Sequence, residues 1–172
     1  MNIRIGNGFD IHRFSDDPTR PLVLGGVTFD GGGGLLGHSV ADVLTHAVAE
    51  ALLGAAGLGA LGSHVPDTDE RFAGAVSTDL LADVVTLVTA VGWSVANVDC
   101  SVVAERPKLA DRRAEMQECL SAIVGAPVTV KGRRAEGRRG LGRGEGIACL
   151  ASALLVGADD AGAPATGQEV SP

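Results

Sequence analysis

Asp10 and His12 stand two residues apart where the first apolar–polar alternation of the chain ends. Residues two apart on a strand project to the same face, so an extended backbone here sets a carboxylate beside an imidazole. Oxygen and nitrogen donors of this kind suit Zn²⁺. The third candidate ligand is His46, within a run rich in Ala and Leu. Taken alone, such a histidine reads as a buried residue hydrogen-bonded to backbone. Joined to Asp10 and His12, it completes a two-histidine, one-carboxylate set that leaves one tetrahedral position open, as a catalytic or substrate-binding zinc requires. Asp42, one turn earlier, either orients His46 from behind or complements the dipole of its helix.

Three further stretches carry chemistry. His38-Ser39 precedes the His46 run, where Ser39 reads as a helix cap and the pair also forms a phosphate-binding corner. Pro66-Asp67-Thr68-Asp69 reads as an Asx turn or as a site wall bearing carboxylates. Lys131 to Gly146 gathers six cations in a chain of net charge −7. That segment is either a solvated loop or a phosphate site, since Arg beside Gly lets a bidentate donor and the backbone approach an anion together. Glu136 within it suits Mg²⁺, which takes one or two carboxylates plus substrate phosphates.

The elements that must position these residues follow from periodicity and breakers. Ile3 to Phe9 reads as a strand, Ser15 to Arg20 as a loop, and Leu22–Leu24 with Val27–Phe29 as a hairpin around Gly25-Gly26. Gly31 to Gly34 reads as a joint. Asp42 to Gly57 reads as a helix, as does Ser77 to Val91 with Ser77 or Thr78 as its cap. Val95 to Ala104 is a strand broken at Arg106-Pro107, Ala110 to Val124 a third helix, Val128 to Val130 a strand start, and Ile147 to Val156 a buried last strand. Strands and helices intermix without a dinucleotide fingerprint, which predicts an α+β class. The expected organisation is a single domain over 1–157, a mixed sheet with helices packed on one side, and a flexible C-terminal tail over 158–172.

Composition bounds the partners. The 172 residues are 45% hydrophobic and 20% charged, which suits one globular domain. The acidic balance argues against nucleic acid as a partner. No uncharged apolar run approaches the ~20 residues that span a bilayer, so no membrane partner is expected. The N-terminal residues lack the apolar stretch of a signal peptide, which predicts a cytoplasmic protein. Cys100, Cys119 and Cys149 fit neither a disulfide framework nor a CxxC zinc site. With only 3% aromatic residues, the core must pack small side chains, and association with further copies would bury the remainder.

Taken together, Asp10-Ile11-His12, Gly37-His38-Ser39, Asp42, His46-Ala47, Pro66-Asp67-Thr68-Asp69, Arg106-Pro107-Lys108 and Gly142-Arg143-Gly144-Glu145-Gly146-Ile147-Ala148 resemble, in order and spacing, the 2-C-methyl-D-erythritol 2,4-cyclodiphosphate synthases of the non-mevalonate isoprenoid pathway. The resemblance spans roughly residues 1–157. It implies a homotrimer with active sites between neighbours. It implies a metal-dependent cyclase that converts 4-diphosphocytidyl-2-C-methyl-D-erythritol 2-phosphate to the cyclic diphosphate and releases CMP. Asp10, His12 and His46 would then hold Zn²⁺ or another divalent metal and face the substrate, and Glu136 would hold Mg²⁺ or Mn²⁺. His38 and Ser39 would contact the phosphate end, and Gly62 and the Pro66–Asp69 loop would line the site. Ala104, Pro107 and Lys108 would form the cytosine pocket, and Arg143 would face the central cavity; Arg133 and Arg134, by their own charge rather than by the resemblance, either grip phosphate or mark a different phosphorylated substrate. His38 and Arg134 are the expected catalytic residues.

The chain also departs from that pattern. Val40 stands where the family has an acid, and Val65 where it has Phe. Ala60-Leu61-Gly62 replaces an Asp-apolar-Gly motif that binds ribose. Arg133-Arg134-Ala135-Glu136 replaces a Thr-Thr-Thr-Glu run. These departures keep open a relative acting on another nucleotide-linked phosphorylated alcohol, and a non-catalytic trimer binding zinc or phosphate. His64, in the turn before Pro66, is not expected to be a ligand.

Overall fold

A computed structural model describes residues 2–31, 33–37, 39–65 and 74–157. His38, the Pro66–Asp69 loop and the C-terminal tail lie outside the described residues. The core is a four-stranded mixed sheet in the order β1-β6-β4-β5. Its strands are β1 (Ile3–Arg13), β4 (Trp93–Val103), β5 (Val128–Arg133) and β6 (Gly146–Gly157). β6 runs antiparallel to both β1 and β4, and β5 runs parallel to β4. The short strands β2 (Leu22–Leu24) and β3 (Val27–Phe29) form a separate hairpin. Gly25 and Gly26 both take positive φ at its two-residue turn, the conformation that matches the twist of paired strands.

The long helices α1 (Val43–Ala56), α3 (Ser77–Ala90) and α4 (Arg113–Val124) cover one face of the sheet, as the sequence predicts. Each follows a readable apolar stripe: Leu80, Leu81, Val84 and Val88 on α3, and Met116, Leu120 and Val124 on α4. α1 is buried on nearly every side. Its Leu44, Leu52 and Leu53 are fully buried, and each such leucine contributes ~1.5–3 kcal/mol through burial. α1 lies close against β1 because β1 presents Gly6 and Gly8 to it. A β-carbon at Gly8 would run into the carbonyl oxygen of Ala47, and one at Gly6 into that of Ala51.

Among the described residues, no helix covers the opposite face of the sheet. Ile3, Ile5, Phe9 and Ile11 of β1 and Leu150 of β6 are exposed there, Ile5 by 72% and Phe9 by 59%. Single exposed apolar residues are ordinary, whereas a contiguous patch of this kind marks an interaction surface.

Several boundaries differ from the sequence reading. β1 continues through Asp10 and His12 to Arg13, because β6 offers partners down to Gly146. β5 extends to Arg133, where parallel pairing with Ser101–Val103 carries the strand into the Arg/Gly-rich segment. The helix expected from Ala110 is split into a 3₁₀ turn, Leu109–Asp111, followed by α4. Two four-residue helices, α2 (Leu61–His64) and α5 (Arg139–Gly142), are too short to show a period in sequence. Neither Ser39 nor Ser77 is a cap. Asp42 is the N-cap of α1, and α3 begins after Val76 with no side-chain cap.

Candidate active site

The alternation of β1 sends Gly6, Gly8, Asp10 and His12 to the helix face. The two glycines let α1 approach, and the two polar residues meet His46, which α1 carries one turn in from its N-terminus. Asp10 Oδ2 lies 3.0 Å from His12 Nε2 and 3.1 Å from His46 Nδ1. The three ligand-type atoms lie within 4.8 Å of one another, and all three residues are half-buried. The outer nitrogens are also held. His12 Nδ1 donates to the carbonyl of Leu36 at 2.7 Å, which leaves Nε2 as the inward-facing nitrogen. His46 Nε2 lies 3.3 Å from Ser39 Oγ and 3.1 Å from Ser77 Oγ. Fixing the far nitrogen of a ligating histidine sets its tautomer and ring orientation.

Charge follows geometry. Burial pushes the Asp10 carboxyl up, but hydrogen bonds from His12 and His46 outweigh it and hold the group well below the usual carboxylate range. The hydrogen bond to Asp10 raises His12 above an ordinary imidazole, against the effect of burial. A carboxylate kept ionised between two imidazoles is what a divalent cation replaces protons in. The donor set, its convergence and its fixed outer nitrogens therefore fit a divalent metal with one open position.

The surrounding loop is stitched in place. Leu36 N donates to Arg13 O and Ser15 N to Gly34 O, which ties residues 34–36 to the end of β1. Arg20, at the end of the Ser15–Arg20 loop, donates from Nη2 to the carbonyls of Gly37 and Ser39. Asp42 serves neither His46 side-chain nitrogen. It is fully buried, and its carboxylate accepts from the backbone of Gly25, Gly26, Leu44 and Thr45 and from the Thr45 hydroxyl. It thus locks the β2–β3 turn to the start of α1.

A cavity of about 350 Å³ opens over the three ligands, and Ser39, Gly62, Glu50 and Val65 also line it. Glu50, one turn beyond His46, was missed because an acid in an amphipathic helix reads as solvated. Its Oε1 accepts from Leu61 N. Ala60 beside it is exposed and caps nothing. His64 stands apart from the ligands, 2.9 Å from Leu58 O.

A second cavity, about 280 Å³, gathers Ala104, Pro107, Lys108, Arg133 and Arg134. Both cavities sit at the same end of the sheet, but on its opposite edges, β1 and β5. Two strands intervene, so at ~4.8 Å per strand these edges are ~14 Å apart. Glu136 lines neither cavity, is exposed, and takes a positive φ of 51°. Arg143 is exposed and paired with Glu145 at 2.5 Å. Within one chain, then, the three expected zinc ligands come together and Ala104, Pro107, Lys108, Arg133 and Arg134 come together, but the two groups do not meet, and Glu136 joins neither.

Comparison with known proteins shows which family has this sequence and fold. The YgbB family model matches residues 3–156. The chain is 50% identical over 159 residues to the 2-C-methyl-D-erythritol 2,4-cyclodiphosphate synthase of Paraburkholderia xenovorans (strain LB400), covering 91% of this chain and 99% of that protein. It is 49% identical over 158 residues to the synthase of Thermosynechococcus vestitus (strain NIES-2133 / IAM M-273 / BP-1), covering 90% and 97%. Among solved structures, the bifunctional IspDF of Campylobacter jejuni superposes with a TM-score of 0.87 at 40% identity, over 92% of this chain and 43% of that one. IspF of Plasmodium falciparum, in its CDP complex, superposes with a TM-score of 0.79 at 29% identity, over 92% and 98%. The chain belongs to the YgbB family, the family of the 2-C-methyl-D-erythritol 2,4-cyclodiphosphate synthases.

Proposed function

We propose that this chain is a working cyclase of its family. It closes 4-diphosphocytidyl-2-C-methyl-D-erythritol 2-phosphate into the 2,4-cyclodiphosphate and releases CMP. The observation that carries this reading is the convergence of Asp10, His12 and His46 with both outer imidazole nitrogens already held. In the reaction, an oxygen of the 2-phosphate forms a bond to the β-phosphorus, and the bond between that phosphorus and the bridging oxygen breaks, so that CMP leaves with the electron pair. Phosphoryl transfer of this kind needs positioning and charge neutralisation more than covalent help. Divalent ions, Zn²⁺ at Asp10, His12 and His46 and Mg²⁺ or Mn²⁺ near Glu136, supply that neutralisation when bound. His38 and Ser39 receive the phosphate end, and the Pro66–Asp69 loop lines the site. Ala104, Pro107 and Lys108 take the cytosine, and Arg133 and Arg134 offer guanidinium groups to the diphosphate. Glu50 is the acid at the wall where Ala60 brings none.

The active assembly in this reading is a homotrimer with sites between neighbours. Two observations support it: the uncovered apolar face of β1 and β6, and the placement of the two cavities on opposite sheet edges. Docking the β1 edge of one protomer beside the β5 edge of the next would join a metal cavity to a nucleotide cavity. Free Cys100, Cys119 and Cys149 fit a reducing, cytoplasmic setting.

The Arg133-Arg134-Ala135 run and Ala60 favour one second reading, a cyclase for a different nucleotide-linked phosphorylated alcohol. A turnover assay with the cytidyl substrate, Zn²⁺ and Mg²⁺, following CMP, separates the two. CMP release supports the family reaction. Retained CDP binding without release supports the second reading.

A further inference from the structure

Ser77 is the first residue of α3, yet it caps nothing. A serine at a helix start ordinarily turns its hydroxyl to the helix's own free N–H groups. This one is turned inward instead. It is 3% exposed, and its Oγ lies 3.1 Å from His46 Nε2. The start of α3 is fixed close by, since Val40 N donates to Ala75 O.

Two hydroxyls face the same nitrogen, and their surroundings differ. Ser39 Oγ is the farther at 3.3 Å and already accepts from Ala41 N at 3.2 Å. It also lines the cavity, where a substrate phosphate, on the reading above, would compete for it. Ser77 belongs to no part of that wall. A neutral imidazole carries one N–H, so only one of its nitrogens offers a lone pair to a cation. For His46 Nδ1 to face the metal, Nε2 must keep its hydrogen, and a partner shielded from substrate is the one that holds it throughout turnover.

We infer that Ser77 is a positioning residue of the metal centre. Its hydroxyl accepts from His46 Nε2–H, fixing the tautomer that turns Nδ1 toward the ion, while Ser39 is left free for the phosphate end of the substrate. The inference rests on the metal-site reading above. No electron or group transfer is involved.

The test is zinc affinity of the full chain by chelator competition, with the ¹⁵N spectrum of its labelled histidines. Ser77→Ala should weaken zinc about tenfold, as loss of an outer partner of a ligating histidine does. It should also change the His46 ring from a single Nε2–H form to a mixture of tautomers, with the melting temperature of the metal-free protein unchanged. Ser39→Ala should hold zinc within about threefold of the parent, a far smaller change than the tenfold expected of an outer partner. Wild-type zinc affinity in Ser77→Ala would overturn the inference, as would an equal loss in Ser39→Ala. A lowered metal-free melting temperature with unchanged zinc affinity would make Ser77 structural and overturn it too. If the parent chain itself bound no zinc, the metal-site reading would fail, an outcome distinct from all of these.

Discussion

The metal cavity and the arginine cavity of one protomer are built on opposite principles. Around Asp10, His12 and His46, each imidazole nitrogen has a partner, and the surrounding backbone is itself held: Leu36 by Arg13, the Gly37 and Ser39 carbonyls by Arg20, and the start of α1 by Asp42. Around Arg133 and Arg134, the cations project into the open from the end of a strand. The backbone just beyond is strained, with Glu136 at φ 51° and Arg139 at φ 54°. One side is organised before its ligand arrives, and the other waits for charge to organise it. The difference teaches where each kind of mutation should bite. Changes on the metal side should be all-or-none and indifferent to salt, and changes on the arginine side graded and salt-dependent.

The sharpest break of that contrast is His46→Ala. It should abolish stoichiometric zinc on metal analysis, with the far-ultraviolet circular dichroism spectrum unchanged. Zinc retained at one per chain would remove the metal assignment. Next in size is Asp42→Ala, which removes a helix cap and strands the N–H groups of Gly25 and Gly26. Loss of ~1 kcal/mol from the cap and ~1–3 kcal/mol from the stranded donors should lower urea stability by about 3 kcal/mol. A change below 1 kcal/mol would show that the scaffold of this side is looser than its hydrogen bonds imply.

On the other side, Arg134→Ala should weaken CDP binding by about 1.5 kcal/mol if a neighbouring protomer covers the guanidinium, and by less than ~1 kcal/mol if it stays exposed. Titration at low and high salt sharpens this, because the loss should shrink as salt rises. A salt-independent loss would place Arg134 on the organised side of the contrast. The smallest effect is expected from Arg139→Gly. It relieves a left-handed backbone in a side chain that is exposed, and should stabilise by about 1 kcal/mol. A lower melting temperature would mean that Arg139 makes contacts in the assembly that outweigh its strain.

The two sides were also unequally legible in sequence. Asp10 and His12 were readable because a strand has a period of two, and His46 because α1 shows an unbroken helical run. Ser77 and Arg20 were not. A serine before a helix has the same appearance whether it caps that helix or crosses to another, and an arginine in a polar loop does not reveal which carbonyls it will reach. The Arg/Gly composition hid the last residues of β5, since that stretch is a strand only through its pairing with β4. The separation of the two cavities was invisible for a similar reason: strand order is a property of the sheet, not of any segment within it.

The two glycines of β1 have a consequence that reaches beyond packing. With no β-carbon at Gly6 or Gly8, the helix axis settles at one fixed stand-off from the strand, and that stand-off is the gap in which an ion must fit. The aperture of the metal site is thus gauged by atoms that are missing, two and four residues upstream of Asp10. A single methyl group inserted there acts as a shim: it would shift His46 relative to Asp10 and alter which ionic radius the site accepts, without touching a ligand.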